Sequence, residues 1–241
     1  MQNQFDPRTT GANAATVGVP RAARDAGLRS YMLRVYNYMA SGVLLTGIVA
    51  LLFATSGLAE QVLVTPLRWL IILAPLGFVM AMSFGLNRMQ TSTLQALFWA
   101  FAVAMGLSMS SIFLVYTGVS IAQTFFAVAA GFMGLSLYGY TTKRDLSGIG
   151  TFLIMGVVGL LVAMLINLFL RSPGLNLAIS ALGVLIFAGL TAYDTQKIKS
   201  IYFAVAGSEM VGKSIVMGAL TLYLDFINMF QFLLSFMGDR R

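Results

Sequence analysis

Long uncharged apolar runs, broken by short charged or turn-forming segments, make up most of this chain beyond its first thirty residues. No Asp, Glu, Lys or Arg occurs in residues 35–59, 69–87, 89–142, 146–170 or 172–193. A helix that crosses a membrane needs about 20 apolar residues to cover a hydrocarbon core of about 30 Å. Each run is therefore long enough for one spanning helix, and the longest run is long enough for two.

Two turn signals complete the division into helices. Residues 117–120, with the sequence TGVS, interrupt the longest run, and Ser172-Pro173-Gly174 separates two later runs because proline and glycine together break a helix. The pattern predicts seven spans, at residues 35–56, 67–87, 94–115, 121–140, 150–170, 175–197 and 214–237. Six of these come from the uncharged runs, and the seventh starts directly after Lys213 and carries Asp225 as its only charge.

Composition agrees with this pattern. The chain is 59% hydrophobic and 10% charged, whereas an ordinary soluble domain is about 25% charged. A soluble core of this size would not need so much apolar surface. We therefore predict an all-α integral membrane protein with seven transmembrane helices in residues 31–241, and a flexible cytoplasmic tail in residues 1–30, which lack helical apolar periodicity.

The basic residues predict an orientation, because cytoplasmic loops of membrane proteins are enriched in Lys and Arg. With the N-terminus in the cytoplasm, eleven basic residues lie inside and four outside. The inside set is Arg8, Arg21, Arg24, Arg29, Arg34, Arg88, Lys143, Arg144, Lys197, Lys199 and Lys213, and the outside set is Arg68, Arg171, Arg240 and Arg241. Seven spans then place the C-terminus outside, unless the last segment is re-entrant. The net charge of +7 is mainly a topology signal, and no compact basic patch with interleaved aromatics indicates nucleic-acid binding.

Missing residue types remove several classes of chemistry. The chain has no cysteine and no histidine, which excludes disulfides, thiolate or imidazole metal sites and His-based catalytic triads. No nucleotide-binding signature is present. We therefore expect neither an enzyme nor a resident cofactor or metal.

Two acidic residues lie within predicted spans, and they are the main candidate site. A carboxylate in the bilayer core costs about 2.5–3.5 kcal/mol on insertion scales, so such groups usually face a partner or water. Asp194 shares a helix face with Thr191, and Asp225 shares a face with Thr221 and Asn228, by three- and four-residue spacing. These polar stripes are typical of helices that face a protein interior or a hydrated path.

Structural roles are also open for both aspartates. Asp194 could pair with Lys197 one turn along its helix, and Asp225 could be a buried hydrogen-bond anchor. Counted along straight helices, Asp225 lies about 18 Å from the inner end of its span, whereas Asp194 lies about 27 Å from the outer end of its own. Contact between the two would require helix tilt or a shifted helix start.

The glycines at 131, 134, 156 and 159 are expected to permit close helix packing.

Three motifs give the chain a family resemblance. The segment GLTAYDTQKI at 189–198 resembles the signature of the Bax inhibitor-1 (transmembrane Bax-inhibitor-motif) family, LYLDFIN at 222–228 resembles its second motif, and KRDLS at 143–147 is a third match. The resemblance covers the second to the seventh predicted helix. It implies a bundle in which six helices, in two layers, surround a central C-terminal helix.

The resemblance also implies a function. Family members are described as pH-sensitive calcium leak channels of the membrane, with a sensor formed by two aspartates that match Asp194 and Asp225. A basic residue at the inner end of the second helix is linked to the sensor in a bacterial relative, and Arg88 matches it by position as a possible latch. This chain has no acidic residue between Trp69 and Asn87, where some relatives carry one, and therefore no extra ion ligand there.

Carboxyl chemistry supports the same expectation. Two carboxylates within hydrogen-bonding distance cannot both ionise cheaply, so they share a proton and titrate together. We predict a calcium or cation leak gated by this pair in a bacterial inner membrane, with the cytoplasmic side opening when the occupancy of the proton changes. The alternative is an interaction protein whose tail binds and modulates a membrane-bound ATP-dependent protease, as some bacterial relatives do.

Overall fold

The computed structural model describes residues 21–241, with side chains from residue 25 onwards. Nine helices form within this part of the chain. They are α1 (Arg21–Thr55), α2 (Leu58–Leu63), α3 (Leu67–Gly85), α4 (Thr91–Met109), α5 (Ser111–Val115), α6 (Gly118–Thr141), α7 (Ser147–Leu170), α8 (Pro173–Val205) and α9 (Met210–Met237).

Seven of these segments are long and apolar enough to cross a membrane, with α4 and α5 together forming the third span. The all-α membrane fold and the seven spans predicted from the sequence are thereby confirmed. α9 runs without interruption for 28 residues, about 42 Å at 1.5 Å per residue. A continuous helix of that length is long enough to cross a membrane.

The first helix begins earlier than the sequence pattern predicted. α1 starts at Arg21, so residues 21–30, which the sequence pattern places in the tail, are helical. Leu28, Tyr31 and Met32 are buried, which gives this polar segment an apolar anchor on the bundle. Residues 1–20, the rest of the predicted tail, lie outside the described residues.

The last helix is the most buried of the seven spans. It packs extensively against α1, α4, α6 and α8. The arrangement of six helices around it is not confirmed, because α3 packs mainly on α4, and α7 packs on α8. These two outer helices are also the least buried spans, so they cover their neighbours rather than the last helix.

Close helix approach occurs at other glycines than those predicted. A Cβ atom at 131, 134 or 159 would meet nothing within 4 Å, and one at Gly156 would meet only the Ile186 side chain, 3.1 Å from Cδ1 and 3.5 Å from Cγ1. The prediction of close helix packing is therefore wrong for positions 131, 134 and 159. A Cβ at Gly139 would instead overlap the carbonyl oxygen of Ala192, which places the backbones of α6 and α8 in direct contact one helical turn before Thr195.

The C-terminal residues tie the end of α9 to the start of α6. Tyr116 and Arg240 form an antiparallel bridge, and the backbone N–H of Thr117 donates to the carbonyl of Asp239 at 3.1 Å. The Asp239 N–H donates to Ser120 Oγ at 3.0 Å, while the N–H of Arg241 donates to the carbonyl of Val115 at 2.9 Å. We call residues 239–241 the C-terminal strap.

Candidate functional site

Two buried carboxyl groups meet at the interface between α8 and α9. Asp194 is 9% exposed and Asp225 is 4% exposed, and their side chains lie within hydrogen-bonding range of each other. Oδ2 of Asp225 is fully buried and receives no hydrogen bond from an N–H or O–H group of the described residues. A proton on one of the two carboxyls is the group that can satisfy it, because ionised carboxylates only accept hydrogen bonds.

The length of α8 explains why the two aspartates reach the same depth. This helix continues to Val205, eight residues beyond the end predicted for its span. Asp194 therefore lies 11 residues, or about 17 Å, from the connection between the two helices. Asp225 lies 15 residues after Met210, or about 23 Å from the same connection, so a modest difference in tilt brings the two side chains level.

Lys197 does not neutralise Asp194 by a direct contact. Its charge acts on the aspartate from one turn away, but no ion pair joins the two within the described residues. The Lys197 ammonium group is exposed and lies 5.9 Å from the ring centre of Tyr193. Asp225 is thus the titratable residue whose side chain contacts Asp194 directly.

The other polar residues predicted for the site bond mainly to their own helices. Thr191 Oγ1 donates to the carbonyl of Phe187 at 2.8 Å, and Thr221 Oγ1 donates to that of Met217 at 3.1 Å. Asn228 Nδ2 likewise donates to the carbonyl of Leu224 at 2.8 Å. Each side chain thus bonds to its own helix, and no hydrogen bond between the described residues joins any of the three to the aspartates.

Arg88 lies away from the pair. Its side chain is exposed just beyond the C-terminus of α3, and within the described part of the chain it forms no ion pair with either aspartate. Lys213 is a basic residue that contacts the C-terminal end of α3, because its Nζ donates to the carbonyl of Leu86 at 3.2 Å. The role of Arg88 as a latch stays a prediction.

A chain of hydroxyl groups, which no local sequence pattern predicts, links α1 and α6 to the turn that carries Asp194. Thr195 Oγ1 donates to the carbonyl of Thr191 at 2.7 Å and contacts Ser136 Oγ at 2.9 Å. Ser136 Oγ in turn contacts the hydroxyl of Tyr36 at 2.6 Å. Each hydroxyl has one proton, so the direction is set: Tyr36 donates to Ser136, Ser136 to Thr195, and Thr195 to the backbone.

The KRDLS segment at 143–147 is attached to α8 two residues after Asp194. Gln196 accepts from the Leu146 N–H at 2.9 Å and donates to the carbonyl of Arg144 at 2.8 Å. Asp145 Oδ1 accepts from the N–H and the hydroxyl of Ser147 at 2.9 and 2.7 Å. These two hydrogen bonds lower the pKa of the exposed Asp145 carboxyl. Two of the motifs recognised in the sequence are therefore in direct contact.

A polar cleft opens between α7, α8 and α9 near the end of α7. Its volume is about 550 Å³. Its lining includes the polar residues Asn167, Arg171, Asn176, Ser180, Asn228, Gln231 and Ser235. Asn228 follows Asp225 by three residues, so the cleft reaches to within one helical turn of the aspartate pair.

Comparison with known proteins agrees with the motifs. The family model described as "Inhibitor of apoptosis-promoting Bax1" matches residues 28–241. An uncharacterized protein of Rickettsia prowazekii is 48% identical over 219 residues, which is 90% of this chain and 92% of the relative. An uncharacterized protein of Caulobacter vibrioides is 46% identical over 229 residues, with 90% and 91% covered. The inner membrane protein YbhL of Escherichia coli K12 is 44% identical over 220 residues, with 90% and 94% covered. With its seven apolar helices and this match across most of its length, the chain belongs to the Bax inhibitor-1 family.

Proposed function

We propose that this protein is a pH-sensitive leak for calcium and related cations, gated by Asp194 and Asp225. The observation that carries the proposal is the contact between two buried carboxyl groups, one of which has an oxygen without a donor. Such a pair can hold either a shared proton or a cation, but it is costly to keep doubly ionised and empty. A proton and a cation therefore compete for the same binding site between the two carboxyl groups.

The polar cleft supplies one half of a path. It extends from Arg171, at the end of α7, to Asn228, close to the pair, and it supports access for a hydrated ion from the side predicted to be outside. The remaining barrier then lies between the aspartates and the end of the bundle where α9 begins. A change in the proton shared by the pair would loosen α8 from α9 at this barrier and let the ion through on the cytoplasmic side.

The absence of histidine leaves carboxyl groups as the side chains suited to sensing pH near neutrality.

We place the protein in the inner membrane, because the relative from E. coli is named an inner membrane protein and because seven spans suit a bilayer. In this proposal calcium is the transported ion, and no resident cofactor is required.

The test is calcium flux into liposomes that contain the purified protein, measured across about pH 5.5–8. We expect a pH-dependent leak in the wild type, and we expect the dependence to disappear in both Asp194→Asn and Asp225→Asn. Asparagine nearly preserves the shape of aspartate but cannot ionise. Either substitution therefore removes the competition between proton and cation.

Asp145→Asn is the matched control. The lowered pKa of Asp145 keeps this exposed carboxyl ionised throughout that pH range, so its removal should leave the pH profile unchanged. The contribution of Asp145 to the loop is lost only as the pH falls towards and below its folded-state pKa. No flux above empty liposomes at any pH, from folded protein, would overturn the proposal and favour the role as a partner of a membrane-bound protease.

A further inference from the structure

A deep groove separates α1 from α6 on the lipid-facing side of the bundle. α1 packs against α4 and α9, and α6 packs against α8 and α9, but the two helices leave a space of about 940 Å³ between them. Phe226 of α9 lines the space from the interior. Leu44 and Met133 line it and are 65% and 66% exposed, so the groove opens sideways rather than towards an end of the bundle.

The groove follows the full thickness of a membrane. Its lining on α1 runs from Arg29 to Leu51, which is 22 residues or about 33 Å, close to the hydrocarbon thickness of a bilayer. Its walls are almost entirely apolar, with hydroxyl groups only at Tyr36, Ser136 and Tyr140. Water has few partners in such a space, so the surrounding bilayer is what fills it.

The end of the groove nearest the N-terminus is positively charged. Arg29 is the one charged residue among those that line the groove. Lys199 lies behind the same end, where its Nζ donates to the carbonyl of Tyr140 at 2.7 Å. Asp25 precedes Arg29 by one turn, but no ion pair joins them among the described side chains. The guanidinium group is therefore free to bind an anion at the membrane surface.

We propose that this groove is a binding site for an anionic glycerophospholipid. The phosphate of the headgroup binds at Arg29, and an acyl chain lies along α1 and α6 over Phe226. Basic side chains at a membrane surface attract anionic lipids, and an apolar groove that opens sideways accepts a chain directly from the bilayer. This site does not depend on whether the protein conducts ions.

The bound acyl chain would lie against the linked hydroxyl groups that lead to the helical turn carrying Asp194. Tyr36 and Ser136 both line the groove, and their hydrogen bond of 2.6 Å crosses from one wall to the other. From Ser136 the hydrogen bonds continue to Thr195 and the backbone of Thr191. These hydrogen bonds therefore connect lipid occupancy to the packing of the turn that carries Asp194.

The experiment uses the full chain in nanodiscs of mixed phosphatidylcholine and phosphatidylglycerol, followed by native mass spectrometry of the protein released into detergent. The wild type should retain phosphatidylglycerol in preference to phosphatidylcholine. Arg29→Gln should reduce the retained phosphatidylglycerol about fivefold, the effect of one basic side chain near the surface, and Arg29→Lys should restore most of it. Ala40→Trp, which places a large ring in the groove, should reduce retention of both lipids.

Two matched variants separate this site from general effects. Arg34→Gln removes an exposed charge from the same helix outside the groove, and Leu165→Trp adds a ring to the exposed face of α7. Both should retain lipid as the wild type does. Equal losses in Arg29→Gln and Arg34→Gln, or no loss in either, would overturn the proposal. So would disulfide-linked dimers of Met133→Cys in the membrane without retained lipid, because they would assign the groove to a second copy of the chain.

Discussion

Ser136 is the residue on which the hydroxyl chain between three helices depends. It accepts from Tyr36 on α1 and donates to Thr195 on α8. Ser136→Ala should therefore lower the free energy of unfolding by about 1 kcal/mol, since hydrogen bonds between membrane helices average about 0.6 kcal/mol each. Equilibrium unfolding in mixed micelles titrated with dodecyl sulfate measures this change.

Tyr36→Phe is the second single substitution of a double-mutant cycle with Ser136→Ala. It removes only the first hydrogen bond, so it should cost less than Ser136→Ala, and combining the two should cost no more than Ser136→Ala alone. Ser83→Ala, at an exposed position on α3, should be close to neutral. Additive losses in the double variant would show that the two hydroxyls act independently.

Residue by residue, the sequence could identify the charged part of the site but not the hydroxyl part. A carboxylate in an apolar run is costly wherever it lies, so Asp194 and Asp225 stand out without any knowledge of their neighbours. Ser136 and Thr195 do not, because a hydroxyl can bond to the carbonyl of its own helix, as Thr191 does. Their contact joins positions 59 residues apart, and no local pattern reveals it.

The contact of α6 with α8 depends on the absence of a side chain at Gly139. A Cβ there would overlap the carbonyl oxygen of Ala192, and a backbone atom cannot turn aside as a flexible side chain can. We expect Gly139→Ala to destabilise the protein by about 1–3 kcal/mol, the usual cost of overpacking. Thermal unfolding in detergent, followed by circular dichroism, measures it.

Gly131→Ala on the same helix is the control, because nothing lies within 4 Å of the added atom. Alanine is the better helix former, so this variant should be neutral or slightly more stable. If both glycine variants behaved alike, helix propensity rather than the contact with α8 would explain the result.

The helices were predictable where hydrophobic length is the signal. The cores of six spans follow directly from the uncharged runs, since a bilayer requires continuous apolar length. The seventh follows from an apolar run whose only charge is Asp225. The extensions at residues 21–30 and beyond Lys197 were missed, because they carry charges and lie outside those runs. The short helix α2 was also missed, because six residues contain too little periodicity to identify. The residues of α5 lie within the predicted span 94–115, but its separation from α4 was not predicted.

Orientation is a property of the whole molecule that can be measured directly, because the chain contains no cysteine. We expect Thr65→Cys, between α2 and α3, to react with an impermeant maleimide added to intact cells. Ser208→Cys, between α8 and α9, should react only after the membrane is opened. The excess of basic residues in the loops predicted to be cytoplasmic is the physical reason; the reverse labelling pattern would place the N-terminus outside.

The C-terminal strap makes the last helix a lever with a fixed end. Two backbone hydrogen bonds join the strap to residues 115 and 117, so any swing of α9 pivots there and grows with distance from it. Asp225 lies 14 residues, or about 21 Å, from Asp239, whereas Met210 lies about twice as far. A small angular movement of α9 would thus displace its start far more than its end, and a bulky tag fused directly after Arg241 would weaken the pivot itself.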